Sequence, residues 1–327
     1  MKPRLGVYPE DFVVEEIPLR DPEGYGPHTH LWIEKRLANT FEVARLLARK
    51  CRVHAREVGF SGLKDRNAVT RQWFSVPRVN PETASLWEDS HFRVLRAARD
   101  PEKIRTGRIA GNRFSLVVRD IPYKILEQLQ TRLDLMEARG MPNRFGKQRF
   151  GRRGDNSRLG REILFGKRRS RSRQQERFLV SALQSEVFNK VLDARGECDR
   201  LEPGDWAMDH LSGRVELVDV FDVWRDPHRR LQVSATGPIF GCKVRLAQEY
   251  PGELERRIFL ENGIPEPADL KEPRGLRIPG SRRPLRVKAA PIAVNQIEAN
   301  VVSLSFSLPS GSYATILVDE LFGEISR

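Results

Sequence analysis

Val302-Ser303-Leu304-Ser305-Phe306-Ser307-Leu308 alternates apolar and hydroxyl side chains without interruption. Successive side chains of a β-strand point to opposite faces, so Val302, Leu304, Phe306 and Leu308 share a buried face and the serines meet solvent. Only Pro309-Ser310-Gly311-Ser312 and a short helix ending near Phe322 follow. One strand and one helix make no stable sheet, so the partners of this strand lie upstream. Between them and it, the Pro/Gly/Arg-rich stretch 265–284 reads as a boundary. The expected organisation is therefore one domain built from residues 1–154 plus 285–327, with residues 155–284 inserted. The length of 327 residues agrees, at about 150 residues per domain, with two domains.

Candidate partners occur early in the chain. Residues 71–76 and 112–119 read as strands, and Asn39-Thr40 caps a run with apolar positions at helical spacing. A second helix is expected over 124–138, where Ile125, Leu129, Leu133 and Met136 repeat before Gly140 and Pro142. Further on, helices are expected over about 174–194 and 254–261, separated by turn-rich, short-strand sequence.

Charge narrows the function. Lys and Arg number 57 against 44 Asp and Glu, a net charge of +13, which points to a long acidic partner. Residues 141–180 hold thirteen basic and three acidic side chains and so carry +10 of that excess. Eleven of the thirteen are Arg, the side chain suited to bidentate phosphate contact and stacking. A solvated charged face is the plain alternative for such a run. No stretch approaches the ~18–20 apolar residues of a bilayer span, and Met1-Lys2-Pro3-Arg4 lacks the apolar core of a signal peptide. The expected location is the cytoplasm, with no membrane partner. Cys51, Cys198 and Cys242 stand far apart, which excludes a disulfide framework and a Cys-rich zinc site. His28 and His30 form the one close histidine pair, in a Gly/Pro-rich loop, and no metal site is expected.

Three local features carry possible chemistry. In Gly62-Leu63-Lys64-Asp65-Arg66 an acid stands between two cations on a loop that joins strand-like segments. Such loops present functional groups, although a turn-forming surface Asp would look the same. In an extended backbone the side chains of Lys64 and Asp65 point apart, so the partner of Asp65 can come from elsewhere. In Asn143-Arg144-Phe145-Gly146-Lys147-Gln148-Arg149-Phe150-Gly151, aromatics, cations and amides share one stretch. Unpaired RNA bases stack on aromatics and are read by amides, yet Phe145 and Phe150 could equally anchor a loop to a core. In Pro9-Glu10-Asp11-Phe12-Val13-Val14-Glu15, Phe12 and Val14 share one face of a strand.

Together, and in this order, these segments resemble the TruD family of tRNA pseudouridine synthases. The resemblance continues through Gly111-Asn112-Arg113-Phe114, Thr236-Gly237-Pro238 and Leu308-Pro309-Ser310-Gly311-Ser312-Tyr313-Ala314-Thr315, and it runs from end to end of the chain. It implies an α+β pseudouridine synthase catalytic fold, a mixed and mainly antiparallel sheet with helices, interrupted by an inserted α/β TRUD domain. It implies Asp65 as the catalytic residue and Phe12, Lys64, Asn143, Phe145 and Tyr313 as the substrate site. Arg144, Arg149, Arg152, Arg153, Arg168, Arg169 and Arg171 would then hold the RNA backbone. Many relatives place a basic side chain just before the Pro-Glu-Asp-Phe segment, where this chain has Gly6-Val7-Tyr8, which leaves Arg4 as the nearest cation to pair with Asp65.

The implied reaction breaks the N1–C1′ bond of a uridine in tRNA, by resemblance the D-arm uridine at position 13, turns the base and joins C5 to C1′. It exchanges no electrons and imports no group, so neither cofactor nor metal is expected. The partner is tRNA, and the protein is expected to act as a monomer without an obligatory protein partner. The competing reading is a basic RNA-binding protein without catalysis, which would keep the charge and the aromatics and would not need Asp65.

Overall fold

The computed structural model describes residues 2–289 and 291–326. It divides into two compact units, the first comprising Met1–Leu133, Ala289–Gly311 and Val318–Arg327, the second Asp134–Lys288 and Ser312–Leu317. The fold class is α+β, with sheets that are mainly antiparallel.

The first unit is built on a ten-stranded sheet. Its strands are β1 (Arg4–Leu5), β2 (Phe12–Pro18), β3 (His28–Arg36), β4 (Gly59–Phe60), β5 (Val69–Pro77), β6 (Glu88–Asp89), β7 (Phe92–Asp100) and β8 (Ile109–Arg119), with β15 (Ala293–Glu298) and β16 (Val301–Pro309) from the end of the chain. The main path runs β15-β16-β8-β2-β5-β3-β7-β6, with β1 on β8 and β4 on β5. The alternating strand read from the sequence is β16. It lies antiparallel to β8 from Val302↔Val118 to Pro309↔Gly111. Phe306 stacks on Phe114 with centroids 5.3 Å apart, and Phe12 meets Phe114 edge-on at 6.4 Å.

The two faces of this sheet differ as their side chains require. Leu31 and Ile33 of β3 share a face with Phe74 of β5, and helix α1 (Thr40–Cys51) lays Val43, Ala44, Leu47 and Ala48 on it, at the helical spacing that makes one apolar stripe. On the opposite face, Arg71 pairs with Glu15 and, at 2.8 Å, with Glu34, which also meets Arg93 at 2.9 Å. A sheet with one face packed and one solvated needs this division.

The second unit holds most of helix α5 (Arg173–Arg195) at its core. Helices α4 (Asn156–Leu164) and α7 (Glu249–Glu261) pack on one side of α5 through Ile163, Leu183, Val187 and Ile258. A second cluster joins Phe188 and Leu192 of α5 to Ala207, Ala235 and Leu285. These belong to a four-stranded antiparallel sheet in the order β11 (Val215–Leu217), β10 (Trp206–Asp209), β12 (Val233–Ile239), β13 (Ser281–Pro284), and to its flank. The two-stranded pair β9 (Met141–Pro142) and β14 (Arg286–Val287) lies in the same unit, as does helix α6 (Phe221–Arg229). Helices α2 (Pro81–Ser85), α3 (Tyr123–Arg139) and α8 (Ala314–Phe322) complete the order along the chain. Helix α4 lies inside the basic run, where charge hides its periodicity. Its Gly160 sits where a Cβ would come within 2.1 Å of the Leu179 carbonyl oxygen, so only glycine permits this close helix contact.

The division differs from the expected one in that residues 134–154, 285–288 and 312–317 group with the second unit. The first of these stretches begins inside helix α3, after Leu133. The physical reason is that Asn143 and Phe145 are hydrogen-bonded to residues of that unit, as the next subsection describes. The stretch 265–284, read as a boundary, ends in β13, whose ladder with β12 runs from Thr236↔Pro284 to Ile239↔Ser281.

Phe306→Ala would remove a fully buried ring from the interface of β8 and β16. A loss of about 3–5 kcal/mol is expected, to be measured as a lower urea midpoint; a change below about 1 kcal/mol would show that this ladder does not anchor the unit.

Candidate active site

The Asp65 loop belongs to the first unit and runs from the end of β4 to the start of β5. Asn39 caps α1, accepting from the Glu42 amide at 2.9 Å while the Glu42 carboxylate accepts from the Asn39 amide at 2.8 Å. That cap fixes Thr40, whose buried hydroxyl donates to Gln72 Oε1 at 3.1 Å and accepts from the Lys64 amide at 2.9 Å. Gln72 Nε2 in turn donates to the Gly62 carbonyl at 3.2 Å. A third tie comes from Lys35 on β3, which occupies the next core-face position after Leu31 and Ile33. Lys35 is 0% exposed, and its ammonium donates to the carbonyls of Ala38 at 2.7 Å and Asp65 at 2.8 Å. Burial brings its pKa down to about 8, against the pull of Asp65.

Asp65 itself is exposed at the tip of this loop. Its neighbours turn away from it. The Lys64 ammonium donates to Asn112 Oδ1 and lies 3.8 Å from Glu16 Oε2. Burial lowers the Lys64 pKa and raises that of Glu16, and in each case outweighs the attraction between the two. Arg66 donates to the Leu37 carbonyl at 3.1 Å and faces Glu42. Arg4, the nearest cation that the sequence offered to Asp65, pairs with Asp120 at 3.2 Å on the strand-end that β1 shares with β8. Phe12, expected in the substrate site, is buried and packs edge-on against Phe114.

In the second unit Asn143, Phe145 and Tyr313 come together. Asn189 of α5 accepts from the Phe145 amide at 2.9 Å and donates to the Phe145 carbonyl at 3.0 Å, so a side chain holds this loop as a strand neighbour would. The Phe145 ring meets Phe188 at 5.5 Å and Tyr313 at 5.9 Å, both edge-on. The Arg283 guanidinium lies 4.2 Å from the Phe145 centroid, a cation–π contact. Burial, with Arg149 adding to it, brings Arg283 down to about 10. Asn143, 3% exposed, directs Arg283: its Oδ1 accepts from Arg283 and, at 3.3 Å, from Ser312, and its Nδ2 donates to the Pro284 carbonyl at 3.0 Å. A pocket of about 350 Å³ opens beside this cluster, lined by Phe145, Arg149, Ser185, Arg282 and Arg283. Aromatic and guanidinium planes side by side are the surfaces on which unpaired bases stack.

The basic run sorts into used and available charge. Arg144 pairs with Asp193, and Arg149 turns inward to Ser181 and Ser185 and to the ring of Phe178 at 5.4 Å. Arg168 lies 3.3 Å from Glu162. Arg152, Arg153, Arg169 and Arg171 are exposed or partly so and make no ion pair with the described residues. Sequence reading missed Lys35, Asn189 and Arg283. For Lys35 a signal existed, since Leu31, Ile33 and Lys35 alternate on one face of a strand; for Arg283, inside a Pro/Arg-rich stretch, none did.

The chain matches the family model of tRNA pseudouridine synthase D (TruD) over residues 1–171 and 168–321. The tRNA pseudouridine synthase D of Thermus thermophilus is 38% identical, covering 97% of this chain and 88% of that protein. That of Geobacter metallireducens is 33% identical, covering 95% and 93%. A solved structure from Methanosarcina mazei, named as a candidate TruD, shares the fold with a TM-score of 0.76 at 21% identity, over 99% of this chain and 94% of that one.

Asn143→Ala would remove a buried acceptor from Arg283 and Ser312 and the side-chain donor to the Pro284 carbonyl. Each unsatisfied group costs about 1–3 kcal/mol, so a destabilisation in that range or above is expected in urea denaturation, and an unchanged midpoint would contradict the role given to Asn143.

Proposed function

Because the chain belongs to the tRNA pseudouridine synthase D (TruD) family, we propose that it isomerises a uridine of tRNA to pseudouridine, with Asp65 as the group that acts on the nucleoside. By family resemblance the target is the D-arm uridine at position 13. The observation that carries this reading is the presentation of Asp65. One exposed carboxylate stands on a loop tied down by the buried groups Thr40, Gln72 and Lys35. A turn-forming surface Asp needs no such support, whereas a reacting group must be held in place by residues that are themselves fixed.

The chemistry asks for little else. The N1–C1′ bond breaks, the base turns, the C5–C1′ bond forms, the C5 proton leaves and N1 gains one. Atoms and electrons balance within the substrate. A carboxylate can serve as nucleophile toward sugar or base and then as the proton acceptor from C5. The uridine has to leave its stack to be reached. Phe145 and Arg283, fixed by Asn189 and Asn143, supply stacking planes for an unpaired base of the tRNA. Arg152, Arg153, Arg169 and Arg171, with Arg168, supply phosphate contacts.

Asp65→Asn is nearly isosteric. Pseudouridine formation on unmodified tRNA transcript is expected to fall by a factor on the order of 10⁴ or more, with the dissociation constant for tRNA unchanged. An active variant would sink the assignment and favour a binding protein. Separately, reversing Arg168, Arg169 and Arg171 to Glu is expected to weaken tRNA binding and to flatten the plot of log affinity against log salt, by about 0.7–0.9 for each phosphate that is no longer neutralised. An unchanged slope would make this run a solvated face.

A further inference from the structure

Arg4, Lys64 and Arg66, the cations that the sequence offers to Asp65, are committed elsewhere. Arg4 pairs with Asp120, Lys64 with Asn112 and Glu16, and Arg66 with Leu37 and Glu42. Lys35 alone among the described residues places a charged donor on Asp65, and it does so through the main-chain carbonyl at 2.8 Å.

A lysine at this position is a poor choice for the fold by itself. Removing an ammonium from water costs several kcal/mol, and apolar residues of similar volume often serve a core as well or better. Leu31 and Ile33, on the same face of β3, show what the core would take there. Something other than stability has to account for a cation at this site.

We propose that Lys35 is a positioning residue of the isomerisation, fixing the main chain of Asp65 and supplying the positive field in which its carboxylate works. This rests on the reading of Asp65 as the acting group. Bonding to the carbonyl leaves both carboxylate oxygens of Asp65 free for substrate, which a direct salt bridge would not. The charged groups that face the Lys35 ammonium are Asp65 and Glu42, which favour its proton, and Lys64, which disfavours it. Burial outweighs them and sets the ammonium to lose its proton at about pH 8.

Activity and stability then move in opposite directions with pH. Above about pH 8 the folded chain gives up this proton, and the field at Asp65 goes with it. The unfolded chain keeps the proton until about pH 10.4. Between these values the unfolded state binds more protons, so the Lys35 contribution to stability rises with pH while turnover falls.

The test measures kcat and KM for pseudouridine formation from about pH 6 to 9.5, with thermal unfolding, in the wild type, Lys35→Met and Lys35→Arg. The wild type is expected to show an alkaline limb in kcat centred near pH 8 without loss of fold. In Lys35→Met, kcat should drop about a hundredfold, the cost of a misplaced reacting group, with KM for tRNA unchanged and the limb gone. Lys35→Arg, which stays charged across the range, should regain part of kcat without the limb. If Lys35→Met does not fold, the wild-type profile and Lys35→Arg decide: a wild-type limb near pH 8 that persists unchanged in Lys35→Arg overturns the proposal. So does a Lys35→Met enzyme with wild-type kcat and the same limb. Failure of the Asp65 reading is distinct, since it would appear as an active Asp65→Asn variant whatever Lys35 does.

Discussion

In the ten-stranded sheet of the first unit, β2 and β5 form the one parallel ladder between strands of the described residues, Val13↔Val69 to Glu15↔Arg71. A parallel pair cannot be joined by a tight turn and needs a crossover connection of about a dozen residues or more. Here the connection is the whole segment from Pro18 to Val69, and it contains β3, α1, β4 and the Asp65 loop. The loop is the last piece of that crossover, entering β5 beside the start of β2. What looks like an isolated functional loop is a consequence of strand direction, and the capped start of α1 and the core face of β3 become its supports for the same reason.

Burial decides which charges in this protein matter. Coulomb attraction at about 4 Å is worth about 1 kcal/mol in water and about 4 kcal/mol at the effective dielectric near a protein surface. Exposed pairs such as Arg168–Glu162, at 3.3 Å, therefore contribute about 0–1 kcal/mol and are easily exchanged for a phosphate. Lys35, Lys64 and Arg283 are in a different regime, since burial holds the pKa of each below its ordinary value. The net charge of +13 therefore says little about these three cations, whose behaviour is set by how far the fold withdraws them from water.

Much of this was legible in the sequence because the signals were local. The serine alternation marked β16 and its buried face and the Asn39-Thr40 cap marked the start of α1, whereas the Lys64-Asp65-Arg66 loop and the Asn143–Phe145 segment stood out by residue type and took their expected roles only from the family resemblance. What was not legible depends on contacts distant in sequence. Asn143 is spoken for by Arg283, 140 residues away, and Phe145 by Asn189, 44 away. Neither partner sits in a pattern that periodicity can detect. Helix α4 went unseen because charged, amide and hydroxyl side chains make up most of it, and a glycine marks its tightest contact rather than its end. Lys35 was hidden by its type: a lysine at the end of a strand reads as solvent-exposed unless the parity of Leu31 and Ile33 is followed one step further.

The arrival of β16 from the end of the chain also has a history in time. On one edge β8 pairs with β2, which precedes it, while its other edge has to wait for residues 301–309. At the ribosome, with about 5–20 residues added per second, roughly 190 residues of synthesis separate β8 from its second neighbour, a delay on the order of 10–40 s. During that interval Phe114, Leu116 and Val118 flank an unpaired strand edge, the kind of template that recruits other nascent chains. Production of this protein is therefore sensitive to whatever shelters that edge, a requirement that arises from the order of its strands and leaves no mark on the finished structure.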